Sequence, residues 1–181
     1  MSNADRSRLA SSFRDPSGFV FKEGATYYRQ VNPSYRRPYE TLMGSGLYEA
    51  LTQQGLLIRH VERPVAEMHG AAFKILEPEQ LSFVSYPYEW CFSQLKAAAL
   101  ATLDVQKRAL EFGMTLKDAS AYNIQFIDCR PVFIDTLSFD IYEEDSPWLA
   151  YRQFCQHFLA PLALAARTDR KSTRLNSSHS S

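Results

Sequence analysis

An α+β fold is predicted for this 181-residue chain, β-rich in its first half and helical in its second. Three observations carry that reading. Short β-branched and aromatic runs punctuated by glycine and proline fill the chain up to residue 88, one long helical pattern occupies residues 89–112, and a compact strand pair follows it. The units expected are a flexible N-terminus over residues 1–11, a β-rich region over 12–88, a helical region over 89–168, and a tail over 169–181. With 45% hydrophobic and 22% charged residues, the chain can bury one sizeable core.

The elements follow in order. Residues 19–31 read as a hairpin turning at Glu23-Gly24, and Pro33 and Pro38 bracket an irregular link. Residues 39–54 predict a helix ending at Gly55, although Gly44 and Gly46 interrupt it, and residues 56–61 predict a strand. A further strand pair is expected over 72–76 and 81–86. The long helix comes next, with Phe92, Leu95, Ala99, Leu103, Gln106 and Leu110 spaced as its buried face and Gly113 as its terminator. Runs at 123–127 and 131–134, joined by Asp128-Cys129-Arg130, form a second hairpin. Asp145-Ser146-Pro147 opens a last helix with Trp148, Tyr151, Phe154, Cys155, Phe158 and Leu162 on its apolar face, and Pro161 should kink or divide it.

Residues 116–139 hold most of the functional information. Asp118 and Asn123 stand five positions apart after the long helix, and Asp135 closes the strand pair that follows. In protein kinases an aspartate at the first position accepts a hydroxyl proton, while the asparagine and the later aspartate hold metal against nucleotide phosphates. A hairpin would bring Asn123 beside Asp135, where two oxygen-bearing side chains could share magnesium. The spacing therefore predicts a kinase-like, two-lobed body, partial in this chain. Asp118 is the candidate base, and Asn123 and Asp135 are candidate metal ligands if Mg-ATP binds. Capping and turn formation explain the same residue types equally simply.

Departures from the kinase pattern are clear. Leu116 stands where the His-Arg-Asp motif has histidine, Thr136-Leu137 follow Asp135 in place of Phe-Gly, and no G-x-G-x-x-G loop occurs. Lys22 or Lys74 could reach phosphates, with Glu40 or Glu49 as partner, yet surface roles account for all four. His60 and His69 have no spaced metal partner and His157 sits within a mainly buried helical pattern, so no catalysis is assigned to them. Mixed aromatic and basic residues from Tyr27 to Tyr39 could contact bases and phosphates, but a strand and proline-rich loop packed on the body explain them.

Several segments together resemble a known family. They are Tyr86-Pro-Tyr-Glu-Trp, the stretch from Leu116 to Phe126, Arg130-Pro-Val-Phe-Ile-Asp-Thr-Leu-Ser-Phe, and Trp148-Leu-Ala-Tyr-Arg-Gln-Phe. The family is the bacterial class I S-adenosylmethionine-dependent methyltransferases related to host-specific nodulation proteins, and the resemblance runs from Ser12 to Ala166. It implies a kinase-like N-terminal region that recognises or holds a small-molecule substrate, followed by a methyltransferase domain that binds S-adenosylmethionine (SAM) and is missing here. A small-molecule phosphotransferase and a noncatalytic kinase-fold binding module remain the alternatives.

Composition narrows partners and location. Residues 169–179 match a one-frame translation of a common short-read sequencing adapter, so the natural sequence is expected to continue differently after Thr168. Without Asp169, Arg170, Lys171 and Arg174 the chain holds 17 basic and 19 acidic residues, a formal charge of −2. That balance gives no reason to expect nucleic acid or an anionic membrane as partner. Cys91, Cys129 and Cys155 are few, odd in number and widely spaced, which points to reduced thiols in the cytoplasm. The polar N-terminus carries no secretory pattern, and no apolar run is long enough to span a bilayer.

Overall fold

The computed structural model describes residues 15–65 and 72–167, together with the backbone of residues 6–8. Strands β1 (Arg6–Arg8), β2 (Gly18–Glu23), β3 (Thr26–Val31), β4 (His60–Arg63) and β5 (Lys74–Pro78) form an antiparallel sheet in the order β1-β2-β3-β5-β4. Thus β1 falls within the stretch expected to be flexible, while the adapter-like tail lies outside the described residues. The first hairpin turns as its sequence suggests: Glu23 pairs with Thr26, and Gly24 takes the left-handed φ of +60° that the turn requires. At the other end of β2, a Cβ on Gly18 would stand 1.9 Å from the Gln30 carbonyl oxygen, so only glycine lets the two backbones approach this closely.

The helix expected over 39–54 is two helices, α1 (Arg36–Gly44) and α2 (Leu47–Gln53). Gly46, at φ +87°, breaks it, a conformation that a continuous right-handed helix cannot contain. The strand expected over 56–61 divides its pairing. Its early part joins the later hairpin, with Ile58 N donating to Phe133 O at 2.9 Å, and only from His60 onward does it pair with β5. Residues 81–86 form no strand. Gln125 engages the Ser85 main chain through its side chain, accepting from Ser85 N at 2.9 Å and donating to Ser85 O at 2.9 Å, and so satisfies this segment without a backbone ladder.

Helix α3 (Phe92–Glu111) lies inside the expected span, but its buried face is rotated. Ala99 and Gln106 of the expected face are buried, but so are Ala98, Ala101, Thr102, Val105 and Ala109 beside them, whereas Phe92, Leu103 and Leu110 are 42%, 39% and 43% exposed. Small side chains permit close approach, and packing overrode the apparent stripe of large ones. Strands β6 (Met114–Leu116) and β9 (Phe139–Ile141) pair with each other, as do β7 (Ile124–Ile127) and β8 (Arg130–Phe133). The second hairpin turns on Asp128 and Cys129 alone, at φ +48° and +63°, a two-residue turn whose twist matches that of its strands. After α4 (Tyr151–Phe154) a wide turn, Cys155–Leu159, precedes Pro161, and helix resumes over 160–167. The strain expected at Pro161 is therefore absorbed one turn earlier, without dividing the helix.

Two apolar clusters hold these elements. The larger gathers Leu42, Leu47 and Leu51 of α1 and α2, Val105 of α3, Met114, Phe133 and Phe139, and Phe154 and Phe158 of the last helix. It therefore joins residues on both sides of position 88. The smaller, Val31, Tyr35, Tyr39, Leu76 and Leu137, packs the sheet onto the segment after Asp135.

Candidate binding cleft

Asp118 follows β6, and α3 braces that strand through one buried polar side chain. Gln106 accepts from Leu116 N at 2.7 Å and donates to Thr115 Oγ1 at 3.0 Å, while Trp148 Nε1 donates to Leu116 O at 2.8 Å. The loop beyond Asp118 is held from the last helix, where Gln153 accepts from Ala119 N at 2.7 Å and His157 Nδ1 accepts from Ala121 N at 3.2 Å. Asp118 itself accepts from Ser120 N at 2.8 Å, closing a local turn. The strand and the loop thus have their positions fixed by groups outside the segment, while the carboxylate is held by its own turn.

Asn123 and Asp135 meet through Ser138. Asn123 Nδ2 donates to Ser138 Oγ at 3.1 Å, and Ser138 Oγ donates to Asp135 Oδ2 at 2.7 Å. The hairpin aligns them, with Ile134 N donating to Asn123 O at 2.8 Å. Asp135 also caps the short turn after it, accepting from Leu137 N at 3.3 Å. Its other partner comes from the sheet: Arg29 Nη2 lies 3.0 Å from Asp135 Oδ1 and 3.0 Å from Asp15 Oδ2.

These groups line one cavity of about 490 Å³ between the sheet and the second hairpin. Asp118, Asn123 and Asp135 are all on its wall, with Asp15, Arg29, His60 and Glu79. Aliphatic and aromatic walls come from both sides, Val20, Tyr28 and Leu76 from the sheet side and Tyr122 and Ile134 from the opposite one. Neither lysine considered from sequence is among the lining residues. Lys22 lies 5.2 Å from the Tyr27 ring centroid and Lys74 pairs with Glu62, while Glu40 pairs with Arg36 at 3.3 Å and Glu49 is exposed. The cation in the cleft is Arg29, which the sequence reading placed in an aromatic and basic run and gave no site role.

His60 is the other group that sequence left unassigned. Burial raises the Tyr39 hydroxyl pKa well above its ordinary value, and Tyr39 donates to Glu62 Oε1 at 2.9 Å. Its single proton is spent there, so the 3.1 Å contact with His60 is one in which His60 Nε2 donates to the Tyr39 oxygen. Nδ1 is then a bare acceptor, buried and without a hydrogen-bond partner among the described residues. Burial lowers the His60 pKa to about 4, so the ring is neutral at ordinary pH.

Among the described residues no cluster of three or more His, Cys, Asp or Glu side chains is placed to hold a metal ion. No helix among them is long and apolar enough to cross a membrane.

No family model matches the chain. Nodulation protein NoeA of Rhizobium meliloti (strain 1021) is 38% identical over 165 residues, covering 90% of this chain and 34% of that protein. The chain therefore spans about a third of the length of this curated relative. Among solved structures, vaccinia related kinase 3 matches with a TM-score of 0.46 and 14% identity, over 75% of this chain and 47% of that one.

Proposed function

We propose that this chain is a kinase-like binding module of a bacterial protein related to NoeA, and that its cleft holds a small-molecule substrate in the cytoplasm. Methyl transfer, on this reading, takes place in a domain outside the chain, where SAM supplies the methyl group. The observation that carries the binding role is the convergence of Asp118, Asn123, Asp135 and Arg29 on one cavity of about 490 Å³. Support for the larger protein comes from the motif resemblance and from a relative about three times the matched length. The kinase-like reading is supported by element order: a five-stranded sheet carrying two helices after β3, a long helix, the Asp118 loop and the hairpin ending at Asp135.

Binding is favoured over phosphoryl transfer by the state of Asp135. One carboxylate oxygen faces Arg29 and accepts from Leu137 N, and the other accepts from Ser138 Oγ. As arranged, these residues do not fit a magnesium ion, which would have to displace a guanidinium that already neutralises the carboxylate. The D-x-x-x-x-N spacing supports a second reading, a phosphotransferase with Asp118 as base, which requires Arg29 to leave Asp135. Calorimetric titration with ATP, with and without magnesium, separates the two. The module reading expects no magnesium-dependent binding and no phosphate release; magnesium-dependent binding abolished by Asp135→Ala would establish the phosphotransferase instead.

A further inference from the structure

We propose that the cleft selects an organic cation built on a flat ring, an arylalkyl or heteroarylalkyl ammonium, over a free polyphosphate. The inference rests on the binding-module reading and supplies its ligand class. Val20 and Leu76 on one side and Ile134 on the other leave an apolar slot for a planar body. Charge then decides the polar end.

Among the described residues four carboxylates line the cavity, Asp15, Glu79, Asp118 and Asp135, against one guanidinium, that of Arg29, a formal −3. Arg29 is already shared between Asp15 and Asp135 at 3.0 Å each. Lys117, adjacent in sequence to Asp118, is engaged elsewhere: its Nζ donates to Ser17 Oγ at 2.7 Å and lies 4.4 Å from the Tyr35 ring centroid. His60 contributes no positive charge at neutral pH. A polyphosphate without counter-cations would meet net repulsion here. An ammonium would meet Asp118, whose carboxylate is in no ion pair among the described residues.

Hydrogen bonding agrees: an ammonium brings three donors and no acceptor, and the cavity wall carries the side-chain oxygens of Asp118, Asn123 and Glu79. The Tyr28 and Tyr122 rings, on opposite sides of the cavity, add aromatic groups that attract a cation.

Tryptamine and indole-3-propionate share a ring and a side-chain length but differ in the sign of their charge. Titrating the 181-residue chain with each, and with Mg·ADP, by calorimetry and amide chemical-shift mapping tests the proposal. Tryptamine is expected to bind in the cleft at least tenfold more tightly than indole-3-propionate. Asp118→Asn retains the oxygen that accepts from Ser120 N and should weaken tryptamine at least fivefold at an unchanged melting temperature. Equal or tighter binding of indole-3-propionate, or an Asp118→Asn variant that binds tryptamine as the native chain does, overturns the cation preference. Cleft shifts with Mg·ADP and none with tryptamine overturn it too, but leave the cleft a binding site; no cleft shift with any probe sinks both readings.

Discussion

His60 shows how one side chain can couple the cleft to folding. Its imidazole is held between Tyr39 and the Tyr48 ring, 4.6 Å away centroid to centroid, and burial keeps it neutral down to about pH 4. The unfolded chain protonates the same group near pH 6.5, so the unfolded state binds the extra proton first as pH falls. Stability is therefore lost between pH 6.5 and 4, by on the order of 3 kcal/mol from this group. Glu62 acts in the same direction. Partly opposed by desolvation, its hydrogen bonds with Lys74 and Tyr39 lower its pKa, so its stabilising contribution is also lost in acid. Urea denaturation at pH 7 and pH 4.5 checks the sign, and His60→Gln should flatten the dependence. Little of this was visible in the sequence, where a lone histidine between Arg59 and Val61 carries no mark of what surrounds it.

At the scale of single elements, local rules explain most of what is seen. The hairpin from Ile124 to Phe133 turns on two left-handed residues, neither of them glycine. Cys129 at φ +63° bears a backbone penalty that glycine would not, so Cys129→Gly should stabilise the chain by about 0.5–1 kcal/mol, read as a higher denaturation midpoint at unchanged slope. A lower midpoint would show that the thiol makes contacts worth more than the strain. The hairpins at 19–31 and 123–134 and the long helix were legible because turn residues and period are local properties. Helix phase was not. On α3 the large apolar residues and the buried small ones lie on different faces, and sequence period cannot tell which face meets the core. Residues 81–86 misled for a similar reason: their β-rich composition was real, but the neighbour that satisfies Ser85 is the side chain of Gln125, 40 positions on.

At the scale of the whole molecule, one core crosses the expected boundary at residue 88. Leu47 and Leu51 of α2 are fully buried with Val105 of α3 and with Phe133 and Phe158. The β-rich and helical regions should therefore unfold together. Tryptophan fluorescence, from Trp90 and Trp148 in the second half, and far-ultraviolet circular dichroism should give coincident urea transitions. Leu47→Ala should shift both by about 2–5 kcal/mol; separate transitions would mean that the two regions are independent units.

Taken alone, the sequence determined the two hairpins with their tight turns, the long helix, and the order of Asp118, Asn123 and Asp135 along the chain, because propensity, period and spacing act over a few residues. Only the tertiary structure decided that Arg29 reaches Asp135 across 106 positions, that Gln106, Gln153 and His157 fix the strand and loop around Asp118, and that His60 faces the same cavity. Those placements depend on how the sheet packs against the hairpin, a choice made by the shared core.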